Sequence, residues 1–499
     1  MEHGPKENEF RQQRLINLQK LQEFGQSPFG AAFERSGTVA ATLADFAENK
    51  AVRLAGRIVS KRQMGKSIFA HIQDGPDRIQ IYVKKDAVGE AGFAAFEFID
   101  LGDHVGVEGP LFVTRMGERS VKVEKWTLLS KALLPLPEKW HGLQDVEIRY
   151  RQRYLDLIAN PEVRQLFDRR TRIIAEMRAF LAGRGFAEVE TPMIQAMAGG
   201  AAANPFKTRY EALSADMFLR IAPELYLKRL LVGGVDKVFE IGKNFRNEGL
   251  SRRHNPEFTM MEVYEAYSDR RGMQDLVEGL ITHVAKVVMG TLKVGTPEAP
   301  IDLASPWREV PYRELVLEWM GADWFSLEKD AMRAKAEAAG IHGDPAWNRD
   351  EITHEIYSKL IEKTLQNPTF VTRLPAELVP LAKRCEDDPT VVDVFELVIG
   401  GKEIAPGYSE LNDPLEQRKR LEEQVALTAP GRVAEEAQKV DEDFLAALEH
   451  GMPPAGGMGI GIDRLIMTLT GSEAIRDVIL FPQLKPRDLT PDPLAPLTP

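Results

Sequence analysis

A single cysteine, Cys385, in 499 residues leaves no partner for an internal disulfide and no thiol set for a zinc site. It reads as a reduced thiol in a cytoplasmic protein. Long apolar runs are missing as well. No stretch reaches the length needed to span a bilayer, and the start, from Met1 to Lys6, lacks the apolar core of a secretion signal, so no membrane association is expected. There is no basic excess: 64 Lys and Arg stand against 75 Asp and Glu, a formal net charge of −11. That balance argues against a chain basic over its whole surface, but a local strip suffices for phosphate contacts. Candidate strips are Arg11, Arg14 and Lys20, then Lys61, Arg62 and Lys66, then Arg149, Arg151 and Arg153; each also reads as a solvated face. Two phosphate signatures are absent. Gly65-Lys66-Ser67 imitates a P-loop, but Ser60 stands where that loop needs its first glycine, and the glycines of 456–461 do not have dinucleotide-fingerprint spacing.

What is present is ordinary in bulk, with 43% hydrophobic and 28% charged residues, and long enough for two or three domains with substantial cores. Residues 7–24 place Leu15, Leu18, Leu21 and Phe24 at helical spacing, an amphipathic helix that docks on the body or lies along RNA. From Val52 to Leu129 five strand-length runs bounded by Gly, Asp or Pro suggest a small OB-type barrel, a fold that binds single-stranded nucleic acid on an aromatic-bearing face. Phe69 and Gln80 fall on adjacent strands of it, near Arg62; Phe69 also reads as barrel core. Pro135 and Pro137 mark a linker. Helices follow, ending at Gly183 and Gly185, then a strand into Thr191-Pro192. Residues 290–360 read as helical, and the Pro-rich tail after Arg487 as disordered.

The densest segment is 245–264, FRNEGLSRRHNPEFTMMEVY. Alternation through Val238–Arg246 sends Phe239, Ile241 and Phe245 to one face and Glu240, Asn244 and Arg246 to the other. Beyond the loop, Phe258, Glu262 and Tyr264 share a face. If the strands pair, a cation, an aromatic platform and a carboxylate converge, which suits a nucleotide plus a cationic small molecule. A polar hairpin with a solvated turn fits the same pattern.

In 393–413, Gly400-Gly401 signals a two-residue hairpin turn. The register then opposes Val398 to Glu403 and Glu396 to Ala405, placing Glu396 and Glu403 on one face, roughly 7–8 Å apart as diagonal neighbours. Such a pair can hold Mg²⁺ against a triphosphate, or it can be an exposed pair of acids. Glu410 falls on the opposite face unless a bulge near Pro406-Gly407 restores it. In 456–471, a strand enters a helix with Asp463 as a plausible N-cap. Arg464 then sits in the first turn, where a cation opposes the macrodipole, a placement that hints at function.

FRNEG…RHNPEFTMMEVY resembles motif 2 of the class II aminoacyl-tRNA synthetases, specifically the bacterial-type lysyl-tRNA synthetases. The resemblance runs from about residue 50 to 488. The helix–strand segment ending at Pro192 resembles motif 1, and GGMGIGIDRLIMTLTG resembles motif 3. The resemblance implies an α+β protein: an N-terminal lead-in (1–50), an OB-type anticodon-binding domain (51–133), a linker (134–150), a catalytic domain on an antiparallel sheet flanked by helices (151–488, with a helical insertion at about 290–360), and a tail (489–499). It implies ATP as substrate, Mg²⁺ on Glu396 and Glu403, lysine, its tRNA, and a homodimer. Arg246 would neutralise the α-phosphate and orient the lysine carboxylate. His254 and Arg464 would hold the γ end, Arg464 and Phe258 would sandwich adenine, and Asn255 would fix the motif 2 loop. Glu224 would meet the α-amine, with Gly200 close by; Tyr264 and Glu410 would meet the ε-ammonium, with Glu262 and Tyr408 lining the pocket. Phe69 would stack on an anticodon base while Arg62, Gln80 and Glu118 read base edges. Pro406 replaces an Asn usual in bacterial relatives, and Tyr408 a Phe. Three rival readings are a paralog transferring lysine to a protein, an aspartyl or asparaginyl enzyme, and a non-catalytic RNA-binding relative.

Overall fold

In the computed structural model the described residues are 5–136, 143–201, 203–344, 347–427 and 440–486. Pro137 in the expected linker and the 489–499 tail lie outside them. The chain divides into two compact units, one running to Arg164 and taking in the chain from Leu484, the other Gln165–Gln483. The division falls beyond the expected border at 150, because the short helices Val146–Arg151 and Arg153–Ala159 belong to the first unit.

The first unit holds strands β1 (Ala51–Met64), β2 (Ser67–Asp74), β3 (Asp77–Lys84), β4 (His104–Val113), β5 (Arg119–Val123) and β6 (Lys125–Ser130). They pair in the order β1-β2-β3-β5-β4-β6, and β1 also pairs with β4, which closes a five-stranded barrel. Closure depends on the length of β1. Its first half pairs with β4 and its second with β2, around an irregularity between Ile58 and Ser60. Strand alternation supplies the core: Ile68, Ala70, Ile72, Ile79, Ile81 and Val83 all point inward. The leading helix α1 (Pro5–Glu23) docks on this unit rather than standing free. Leu21 enters the barrel core, and Arg14 donates to the carbonyls of Leu101, Ala132 and Leu134 at 2.8–2.9 Å.

The second unit is built on an eight-stranded sheet. Its strands are β7 (Ala187–Glu188), β8 (Lys237–Phe245), β9 (Glu257–Ala266), β10 (Arg308–Pro311), β11 (Thr369–Thr372), β12 (Val394–Val398), β13 (Glu403–Ser409) and β14 (Ala455–Gly461). The spatial order is β10-β11-β12-β13-β14-β9-β8-β7. The six central strands are antiparallel, and only the marginal pairs β8–β7 and β10–β11 are parallel. On one face, Phe239, Met261, Val263, Phe395, Leu397, Met458 and Ile460 form a core with helices α2 (Pro161–Ala182), α4 (Arg270–Val284) and α5 (Ile462–Thr470). The intervening residues face the other way and carry the site. Helix α3 (Glu224–Val232) borders that side.

The expected helical insertion is helical only in part. Residues 293–302 form a β-hairpin, β10 follows, and helix begins at Tyr312. The hairpin is set by Gly295, whose φ of +84° suits glycine, and by its burial of Val294 and Ile301 in the sheet core.

Candidate active site

The loop 246–256 joins β8 and β9 as an antiparallel hairpin in which Asn244 pairs with Phe258 and Glu240 with Glu262. Arg246 continues the ladder through its N–H to the Pro256 carbonyl at 2.9 Å. Arg246, Glu262 and Tyr264 therefore do share one cavity of about 340 Å³, with Gly200, Glu224, Glu403, Pro406 and Tyr408 also in its wall. A neighbouring cavity of about 180 Å³ is lined by Arg246, His254, Asn255, Phe258, Glu403 and Arg464. Arg246, Met260, Glu403 and Pro406 line both, so the two adjoin. Phe258, expected on the face of Glu262, thus serves the second cavity.

The larger cavity is acidic. Glu224 opens α3 and accepts from the Tyr408 hydroxyl at 2.8 Å; Glu262 accepts from the Tyr264 hydroxyl at 2.9 Å. Burial first, and the Glu224 charge second, push the Glu262 carboxyl up to about 8. Glu410, expected in the same pocket, does not line this cavity; it is buried against Gly457 of the wall, one carboxylate oxygen 2.5 Å from the Lys228 ammonium. Lys228, which sequence reasoning did not single out, also sits 2.8 Å from Glu224. Its only advance signal is the i,i+4 spacing from Glu224 on a helix. Two glycines are required here. Gly200 has φ +84°, and a Cβ there would meet Glu224 Cβ at 3.1 Å. A Cβ on Gly457 would fall 1.9 Å from Glu410 Oε1.

The hairpin register departs from the expected one. Ile399 and Lys402 exchange backbone hydrogen bonds and Val398 opposes Glu403, as the Gly-Gly turn dictates. Glu396, however, opposes Pro406 rather than Ala405, because one extra residue, Ile404, is inserted in β13. That bulge lies ahead of Pro406-Gly407. It returns Pro406, Tyr408 and Glu410 to the face of Glu396 and Glu403. Glu396 is pushed up to about 8 by burial, then by Glu403 and Glu362. Glu362, a third carboxylate missed from sequence, accepts from the Glu403 N–H at 3.3 Å and is raised by burial and by Glu403. It lies just past the 290–360 stretch read as helical, in the short turn Glu362–Thr364. Among the described residues no three His, Cys, Asp or Glu side chains form a closed metal cage.

In the smaller cavity, the Arg246 guanidinium carbon lies 5.1 Å from the Phe258 ring centroid. Arg246 Nε is buried without a hydrogen-bond partner among the described residues. Arg464 donates to the Glu403 carbonyl at 3.2 Å and meets His254 Nε2 at 3.2 Å. Burial and the Arg464 charge hold the His254 pKa below its usual range, so Nε2 accepts and Nδ1–H points to Ser251 Oγ, 2.9 Å away. Asn255 donates to the Glu257 carbonyl at 2.6 Å, which pins the loop end. Helix α5 is capped by Gly461, not Asp463. Asp463 instead accepts from the Thr259 N–H at 2.7 Å and from Arg170 of α2 at 2.6 Å, which anchors the turn bearing Arg464.

On the barrel, Phe69 is not core. It pairs with Arg62 on one side and Tyr82 on the other, and its ring stacks 4.9 Å from Tyr82, itself 5.9 Å from Phe112. Beside this outward aromatic ladder, Glu118 accepts from Gln80 at 2.7 Å and meets His71 at 2.7 Å. Ser120 donates to Gln80 Oε1 at 2.9 Å.

Residues 145–485 match the family described as tRNA synthetases class II (D, K and N), and residues 52–129 match the OB-fold nucleic acid binding domain. The chain is similar to the lysine–tRNA ligase of Pelotomaculum thermopropionicum, 52% identical over 96% of each chain. It is 50% identical to that of Carboxydothermus hydrogenoformans, over 96% of this chain and 99% of the relative. To the Staphylococcus aureus lysine–tRNA ligase it is 49% identical over the same shares.

Proposed function

This chain belongs to the lysine–tRNA ligases of class II, and from that premise we propose how its residues divide the work. The reaction is ATP-dependent attachment of lysine to its tRNA, through lysyl-adenylate. The observation that carries the assignment is one acidic cavity, walled by Glu224 and Glu262 with Glu410 buried against Gly457 of its wall, adjoining a cavity lined by Arg246, Phe258 and Arg464. Glu224 takes the α-amine; Tyr264 and Glu410, with Glu262 and Tyr408 around them, take the ε-ammonium. An uncharged competitor leaves those buried carboxylates unpaired, which is selective without a second sieve. Gly200 leaves room at the α-amine end.

The lysine carboxylate attacks the α-phosphorus in line, and pyrophosphate leaves. Charge accumulates on the phosphoryl oxygens, so the protein's task is to position and neutralise. Arg246 lines both cavities, and its buried, unpartnered Nε supplies a donor where the α-phosphate and carboxylate meet. Pro406 offers no N–H at this junction, so carboxylate orientation falls to Arg246. Arg464 and Phe258 enclose adenine, His254 and Arg464 hold the γ end, and Asn255 fixes the loop.

Glu396 and Glu403 fit Mg²⁺. Glu396 is raised by burial and like charge, and among the described residues no cation pairs with it. Two carboxylates with no closed set of protein ligands among the described residues suit a hard cation of this kind, which Glu396 and Glu403 would hold. When bound there it neutralises and aligns the triphosphate.

On the barrel, Phe69 stacks on an anticodon base, with Arg62, Gln80 and Glu118 reading edges. The homodimer belongs to the same proposal. Ile194, Tyr210 and Leu213, in the segment after α2, are each at least half exposed, apolar surface that a second copy could cover. So does residence in the cytoplasm. A protein-lysylating paralog is disfavoured by the matched OB-fold domain.

Pyrophosphate exchange across the amino acids tests the reading. Lysine alone supports strong exchange, and Glu410→Gln loses it. Exchange with aspartate, or an unaffected Glu410→Gln, refutes it.

A further inference from the structure

Lys228 is wholly buried, and its ammonium lies 2.8 Å from Glu224 Oε1 and 2.5 Å from Glu410 Oε2. Among the described residues the Leu381 carbonyl at 3.4 Å is a further oxygen partner, and the Tyr408 ring centroid lies 5.6 Å away. Glu410 Oε1 is buried with no hydrogen-bond partner among the described residues. The lysine side chain thus ties together, from behind, two acids that the proposed function gives to opposite ends of one substrate.

We propose that Lys228 is a spacer cation: it bridges the α-amine acid to the ε-ammonium acid and thereby sets the chain length of the amino acid accepted. Charge counting supports the role. Burial pushes the Glu262 and Glu410 carboxyls up to about 8. Once the cations of a diamine lie against them and both ionise, Glu224, Glu262 and Glu410 carry three negative charges and Lys228 leaves two, the number of ammonium groups on free lysine, while the substrate carboxylate belongs to Arg246. Burying a charge without its complement is costly, so this match favours a substrate with two cationic ends. A rigid bridge also fixes where those ends sit. One methylene less then leaves one acid unpaired, a larger discrimination than an apolar pocket achieves. Burial opposes the charge on Lys228, but Glu224 and Glu410 outweigh it and hold its pKa above the usual range, so the bridge stays charged.

The inference rests on the assignment of Glu224 and Glu410 given above. Pyrophosphate exchange is measured with lysine and with ornithine, one methylene shorter, in Lys228→Met, Lys228→Gln and Lys228→Arg. In the two neutral variants the lysine KM rises, the ATP KM is unchanged, and the lysine-over-ornithine ratio of kcat/KM falls by at least about tenfold. Lys228→Arg keeps the charge with a larger head group; it retains lysine activation with a lowered ratio, and it decides the matter if the neutral variants do not fold. A ratio within about threefold of wild type in the folded variants, or lysine and ATP KM values rising together, overturns the proposal. If Glu410→Gln leaves lysine exchange intact, the pocket assignment itself fails. If Glu410→Gln abolishes exchange while the Lys228 variants keep the ratio, only the spacer role fails.

Discussion

Replacing Glu262 by Gln removes one ionisation and changes almost no volume. The carboxyl lies in the sheet face under α3, where the Tyr264 hydroxyl donates to it at 2.9 Å. Burial, then Glu224, shift it from 4.5 to about 8. In the unfolded chain it loses its proton above 4.5, whereas in the folded chain it keeps it to about 8. The folded state therefore holds the extra proton in that window, and stability falls as pH rises through it, levelling above the folded value. The linkage slope is at most about 1.4 kcal/mol per pH unit, so from pH 5.5 to 7.5 the wild type loses roughly 2–3 kcal/mol at this residue, a few degrees in Tm for a unit of this size. Gln accepts the same Tyr264 hydrogen bond and does not titrate. The assay is a thermal melt of both proteins across that range without ligand. The difference, variant minus wild type, grows with pH; saturating lysine shrinks it by supplying a cation to the ionised form. A difference flat with pH refutes the account of Glu262 as a carboxyl held protonated by burial.

Phe69→Ala weakens tRNA in aminoacylation by 5- to 150-fold in KM, the equivalent of about 1–3 kcal/mol of base stacking, and leaves lysine-dependent pyrophosphate exchange unchanged. Equal loss in both assays is incompatible with an anticodon role. Glu396→Gln raises the Mg²⁺ concentration needed for half-maximal exchange by about tenfold or more, because one of two carboxylate ligands loses its charge; an unaltered Mg²⁺ titration places the metal elsewhere. Gly457→Ala drives a methyl into Glu410 and the Tyr264 ring, 1.9 and 2.5 Å from the ideal Cβ position. Overpacking of that kind costs about 1–3 kcal/mol of stability and raises the lysine KM, with melting temperature and exchange kinetics as the two readouts.

Much of this is legible before any coordinates. The barrel follows from short strands with turn residues between them. The convergence of Arg246, Glu262 and Tyr264 follows from period-two alternation on either side of a polar loop. Arg464 in the first turn of its helix follows from a cation where the macrodipole disfavours one. The failures share one cause. The pairing of Glu396 with Ala405 assumed unbroken register, and a bulge at Ile404 has no composition signal strong enough to locate it. Asp463 looked like a cap because capping is judged from neighbours in sequence, while its partners are Thr259 and Arg170, far along the chain. Glu362 and Lys228 were passed over because a lone Glu or Lys on a helix reads as solvated surface. Burial decides otherwise, and burial is a property of what packs above a residue.

Local periodicity and residue chemistry determined which strands exist, which face of each is polar, and which side chains carry charge suited to a nucleotide and a diamine. Those quantities repeat every two or three and a half residues and need no distant information. Tertiary structure decided which charges are desolvated and tied to which partners: Lys228 between Glu224 and Glu410, Glu362 against Glu403, Phe69 outside its barrel rather than within it. Electrostatic strength depends on the medium separating two groups as well as on their identity, and that medium forms only when the sheet, its helices and the insertion close over them.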